Sequence, residues 1–207
     1  MAYPLGSFDR GSTNGVMTRE TLQKRAYELG FQYEKAYHGC AQCAVAAIQD
    51  TLGLQDDGTF KAANAMNAGV GCSSRGTCGA LAGSVMVISS LCGRPRTMFD
   101  DVDRIRARPY GPAQRLLEKF ENEYGSGICG EIQRRLMGRS FNLLVPEQRD
   151  MFLEAGAEES HCPDVVGKAS RWAVEIILDE DLIGGESMPA SGRAPTGSIS
   201  QENGMGR

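Results

Sequence analysis

An all-α fold is predicted by three observations on the 207-residue chain. Apolar residues recur at intervals close to 3.6 across most of the sequence, as on a helix that buries one face. No convincing run of alternating β-branched residues appears. The length and the 41% hydrophobic share suit one soluble domain, which can bury a sizeable core without disulfides. The expectation is a compact bundle of about six to seven helices between two flexible tails. Residues 1–16 and 183–207, rich in small and polar residues without periodicity, form the tails, and 17–182 form a helical cysteine-rich domain.

The first helix is expected over about 18–37, with Leu22, Ala26, Leu29, Tyr33 and Ala36 on its apolar face. A second covers about 39–52 on a stripe of Cys40, Ala44, Ala47 and Ile48, and Gly53 ends it. A shorter helix over 59–68 leads into Gly69-Val70-Gly71-Cys72-Ser73-Ser74-Arg75-Gly76, a stretch that permits left-handed backbone. From 78 to about 92, Cys78, Leu81, Val85, Ile88 and Cys92 follow at spacings of three or four. Gly79, Ala80, Ala82, Gly83 and Ser84 strip its first turns of bulk, which suits close packing at the centre. Further helices are expected from Pro112 to Tyr124, over 128–137 and over 147–154. The last helix has Pro163 in its first turn and Val166, Ala169, Ala173 and Ile176 on one face. There is no internal repeat.

The net charge of −4 comes from interleaved acids and bases, which argues against a nucleic-acid surface. The one basic stretch, Arg94 to Arg108, also holds Asp100, Asp101 and Asp103, and reads as a self-compensating solvated face. No run approaches the ~20 apolar residues of a membrane span. The first residues lack the basic and apolar regions of a secretory signal, so a cytoplasmic location is expected. Seven cysteines in that reducing compartment point to metal binding or thiol redox chemistry.

Four of the seven share a placement. Cys40, Cys78, Cys129 and Cys162 each fall at a predicted helix N-terminus, where free N–H groups and the helix dipole favour a thiolate. Four thiolates delivered from four helix ends could supply the soft ligands of an iron–sulfur cluster or of zinc. Cys92, on an apolar stripe, reads as core. Cys43 forms a CxxC with Cys40, and Cys72 lies six residues before Cys78; each could be a further ligand, and each could be half of an exchanging dithiol. The two histidines, His38 and His161, lie within two residues of these cysteines and read as surface neighbours. Glu121, Glu123 and the run Asp179-Glu180-Asp181 read as solvated charge. No phosphate-loop, HExxH, GxGxxG or CxxCH pattern occurs.

Taken together, these landmarks resemble a family of redox-active proteins named for a C-GCAxxG-C-C pattern. Cys40-Ala41-Gln42 at the start of an alanine-rich helix resembles its first cysteine segment. Thr77-Cys78-Gly79-Ala80-Leu81-Ala82-Gly83 resembles its central motif, Phe120 to Cys129, with Tyr124-Gly125-Ser126 before the cysteine, its third segment, and Cys162 before the closing helix its fourth. The family is similar to the iron–sulfur portion of split-Soret cytochromes. The resemblance therefore implies a cluster on these four cysteines for electron transfer or redox sensing, serving an unidentified redox partner protein. A metal-free thiol–disulfide oxidoreductase and a structural zinc scaffold stay open, as do catalysis and self-association into a homo-oligomer. Cys43, Cys72 and Cys92 are departures from the basic four-cysteine pattern.

Overall fold

Thr18 opens the first helix by accepting the Thr21 N–H on its hydroxyl at 3.2 Å, and α1 runs over Arg19–Tyr37. The computed structural model of the protein describes residues 17–183; the tails expected at either end, residues 1–16 and 184–207, lie outside the described residues. His38 and Gly39, both at positive φ, reverse the chain into α2, Cys40–Leu52, which ends on left-handed Gly53. Asp56 caps α3, Asp57–Ala62, and a 3₁₀ turn over Asn64–Met66 leads to the glycine-rich stretch. Then come α4, Gly79–Cys92; α5, Tyr110–Tyr124; and α6, Cys129–Met137. Finally α7 is Pro146–Glu154, and a π turn over Ala157–His161 feeds α8, Cys162–Asp179.

The all-α expectation holds: the described residues contain eight α-helices and no strand, with one isolated antiparallel bridge between Thr77 and Ile128. The third helix stops at Ala62, short of the expected 59–68, because the chain tightens to 3₁₀ and then turns left-handed at Ala68.

The core is built on α2, α4 and α8, with α1 laid along α8. Small residues set the helix spacing. A Cβ on Gly83 would fall 2.2 Å from the Ala41 carbonyl oxygen, and one on Gly30 would meet Ser170 Oγ at 2.8 Å. Around these contacts Ile48, Ile88, Leu116, Phe120, Val166 and Ile176 are fully buried, each stabilising by about 1.5–3 kcal/mol. Trp172 meets Phe120 edge-on at 5.5 Å. A satellite cluster of Phe141, Phe152 and Ala157 packs beside Cys162.

The apolar face of α1 agrees with the expected one at Leu22, Ala26 and Tyr33, which pack on the core, and departs from it at the helix end. Ala36 is exposed, and the buried stripe is Ala26, Gly30 and Glu34 at i, i+4, i+8. Close approach to α8 through Gly30 selects that row. In the basic stretch, Asp101 takes Arg106 at 3.2 Å and Arg94 at 3.9 Å, so the charges compensate locally.

Candidate functional site

The four helix-end cysteines stand where the pattern placed them. Cys40, Cys129 and Cys162 are the first residues of α2, α6 and α8, and Cys78 is the N-cap of α4. Two of these ends are tied side by side through backbone. The bridge between Thr77 and Ile128 pairs the residues just before two of the cysteines. Cys78 N–H donates to Gly127 O at 2.8 Å and Cys129 N–H to Gly76 O at 2.9 Å. The glycine-rich stretch wraps over them with Ala68, Gly69, Val70, Gly71 and Cys72 all at positive φ. For the non-glycine residues this stores on the order of 1–3 kcal/mol each, held in place by the surrounding contacts. Closeness also demands glycine: a Cβ on Gly69 would lie 2.6 Å from Cys129 Cβ, and one on Gly79 would lie 2.4 Å from Cys40 Sγ.

These constraints bring Cys40, Cys78, Cys129 and Cys162, with Cys72 from the loop, to the wall of one cavity of about 480 Å³. Their thiols are the soft donors that could hold a metal or cofactor there. As they stand, no three His, Cys, Asp or Glu side chains among the described residues converge tightly enough to hold one metal ion. Polar donors face the sulfurs. Ala68 N–H donates to Cys40 Sγ at 3.4 Å, and Gln133 Nε2 reaches Cys129 Sγ at 3.6 Å and Ser74 Oγ at 3.1 Å. The Gln133 carbonyl oxygen accepts Phe141 N–H at 2.8 Å, which locks its amide orientation.

Cys43 and Cys92 do not join this wall. The Cys43 thiol turns back to the His38 carbonyl at 3.3 Å, and Cys92 donates to Ile88 O at 3.3 Å within its own helix. The CxxC therefore contributes one thiol to the cavity through Cys40 and buries the other behind it. His38 lines the cavity, with Nε2 3.7 Å from Glu158 Oε2, whereas His161 is not on that wall.

The helix ends do not lower the thiol pKa values as expected. Burial dominates and pushes the Cys78 and Cys129 thiols up to about 12. Cys40 and Cys162 are likewise held well above the ordinary value, by burial first and then by nearby Glu34. Backbone N–H groups of Ala68 and Ala41 at Cys40, and of Leu81 and Ala80 at Cys78, oppose this and are outweighed.

Glu34 was not visible as a site residue in the sequence. It lines the cavity, is only 6% exposed, and its Oε2 is buried without a hydrogen-bond partner. Burial raises its pKa to about 8, a hydrogen bond from the Cys43 thiol to the carboxylate opposes this, and the Glu158 charge adds to the rise. The one signal available was a carboxylate at i+4 from Gly30 and i+8 from Ala26, on a row that the structure shows to be buried. Asn67 was missed as well; its Oδ1 accepts the Ala41 N–H at 2.9 Å and so completes the start of α2.

The profile of a protein family described as "Putative redox-active protein (C_GCAxxG_C_C)" matches residues 38–176, two thirds of the chain. The chain belongs to this family. All seven cysteines fall inside the matched C_GCAxxG_C_C segment, while Glu34 lies before it. No curated protein sequence and no solved structure matches the chain.

Proposed function

We propose that this C_GCAxxG_C_C protein is an electron-transfer or redox-sensing protein carrying an iron–sulfur cluster on Cys40, Cys78, Cys129 and Cys162, with Cys72 as an additional donor. The observation that carries the reading is the delivery of five thiols from four helix starts and one strained loop to a single cavity. Cysteine thiolates are the ligands such clusters take. The cavity, at about 480 Å³, is of cofactor size and much larger than the cage around one ion. An iron–sulfur cluster takes several cysteine ligands at once, which suits a wall that carries five thiols.

When bound, such a cluster supplies one-electron chemistry. The chain's own residues do the rest. Ala68 N–H and the Gln133 amide donate toward sulfur, which stabilises negative charge there and favours reduction. The starts of α2 and α4 bury Ala41, Ala44, Ala80 and Leu81, an apolar backing behind Cys40 and Cys78. Metal-free thiol–disulfide exchange is disfavoured at Cys40, Cys78, Cys129 and Cys162, because burial holds these thiols protonated and thiolate is the nucleophile.

The test is chemical analysis of the full chain purified anaerobically. A brown protein with iron and acid-labile sulfide in near-stoichiometric amounts is expected. Colourless protein that contains neither and takes up neither on reconstitution overturns the reading.

A further inference from the structure

We infer that Glu34 Oε2 is an oxygen ligand of the metal centre, so that one carboxylate joins the four helix-start thiolates and Cys72 in the donor set. The inference rests on the cluster reading above and adds a residue to it from outside the matched family segment.

Oε2 is a polar atom left unsatisfied by the chain. A carboxylate on the buried row of a helix, with one oxygen sealed from solvent and without a hydrogen-bond partner, is destabilising unless something satisfies it. Among the described residues no Lys or Arg, the adjacent and exposed Lys35 included, forms an ion pair with Glu34, and the His38 Nε2 lies 3.7 Å from Glu158 Oε2. Glu158 adds a second negative group on the same side. Arg149, also on the cavity wall, is exposed at its rim.

What would satisfy Oε2 is an occupant that is cationic and accepts an oxygen donor. The cavity that Glu34 lines is the one lined by the thiols, and Cys40, the first residue of α2, is coupled electrostatically to Glu34. Iron accepts both sulfur and carboxylate ligands, whereas a purely soft ion would favour sulfur alone. An iron already holding one thiolate can take the carboxylate oxygen as a further ligand. One iron of such a centre would then have an environment unlike that of its neighbours.

Mössbauer spectroscopy of the full chain reconstituted with sulfide and isotopically enriched iron tests this. In the wild-type protein one iron subsite is expected with a larger isomer shift than the sulfur-only irons. In Glu34→Gln that subsite should revert to the sulfur-only signature while iron and sulfide content stays at the wild-type level, because the four thiols remain. A nearby charge that does not ligate would shift the reduction potential but would not create the subsite. Wild-type irons that all carry the sulfur-only signature overturn the inference, as does an oxygen-ligated subsite that persists in Glu34→Gln. The wild-type spectrum needs no variant, so a Gln variant that fails to fold leaves the test intact. Failure of the wild type to take up iron and sulfide removes the cluster reading and this ligand with it; a cluster of uniform irons removes only the ligand.

Discussion

Cys78 and Cys92 sit at opposite ends of the same helix, α4, and their surroundings differ in every respect that matters for chemistry. Cys78 is the N-cap, buried beside a 480 Å³ cavity and within electrostatic reach of Cys129. Cys92 closes the last turn, half-buried, with its hydrogen given to Ile88 O. The contrast extends to α8, which begins at the cavity with Cys162 and ends among Ala173, Val174, Ile176 and Ile177 before surfacing at Asp179. The N-terminal ends of these helices bring their sulfur to the cavity, where Glu34, near the end of α1, has an unpaired carboxylate oxygen. Their C-terminal ends lead away from it to half-buried and exposed positions. Chain position relative to the helix, more than residue type, decides which cysteines face the site.

The largest difference between the two ends should be seen in cofactor content. Cys78→Ser removes a buried sulfur at the bridge between α4 and α6, and near-complete loss of iron and sulfide is expected on anaerobic reconstitution. Cys92→Ser should retain both at the wild-type level. Equal retention by the two variants would break the comparison.

Packing gives the next effect. Gly83 lies where α4 meets the backbone of α2, and the added Cβ of Gly83→Ala would sit 2.2 Å from Ala41 O, a backbone atom that cannot swing away. Separating the two central helices should lower stability by about 3 kcal/mol, at the upper end of overpacking effects, as read by urea denaturation. Gly53→Ala, which meets nothing within 4 Å but needs a left-handed φ of 68°, should cost about 1 kcal/mol.

Much of this organisation was legible in the sequence. The stripe Val166, Ala169, Ala173 and Ile176 and the small-residue start of α4 announced the central helices, because apolar period and lack of bulk are local properties. The cysteines of the site were legible for the same reason: proline, glycine and helix periodicity mark helix starts. What stayed hidden depends on three-dimensional neighbours. The stripe assigned to α1 included Ala36, and only the approach of Gly30 to α8 shows that Glu34 takes the buried row instead. The thiol pKa values were expected to fall on dipole grounds; how deeply each sulfur is buried, a property of the assembled cavity, reverses the direction.

Glu34 makes the next prediction, in the metal-free protein. Its folded pKa, about 8, lies above the ordinary 4.5, so between these values the folded state holds a proton that the unfolded chain has released. Stability should therefore fall as pH rises through this window, by roughly 2 kcal/mol from about pH 5.5 to about pH 7, since each unit is worth about 1.4 kcal/mol. Glu34→Gln should flatten that slope in denaturant titrations across the same range. An unchanged slope would mean that the carboxyl finds solvent or a partner at the cavity end after all.

The smallest effect belongs to the far end of α8. Asp179 pairs with Arg19 and Arg115, each at 3.0 Å, with all three side chains substantially exposed. Exposed pairs of this kind are worth about 0–1 kcal/mol, because water already solvates both partners and salt screens them. Asp179→Asn should lower stability by less than about 1 kcal/mol, an effect that shrinks further as salt is raised, and should leave iron and sulfide content unchanged. A larger loss would mean that the ties from α1 and α5 to the end of α8 help to hold its distant N-terminus at the cavity. In that case the two ends of the helix would be mechanically coupled, and thermal melts of the variant with and without bound iron would differ by more than the wild-type pair do.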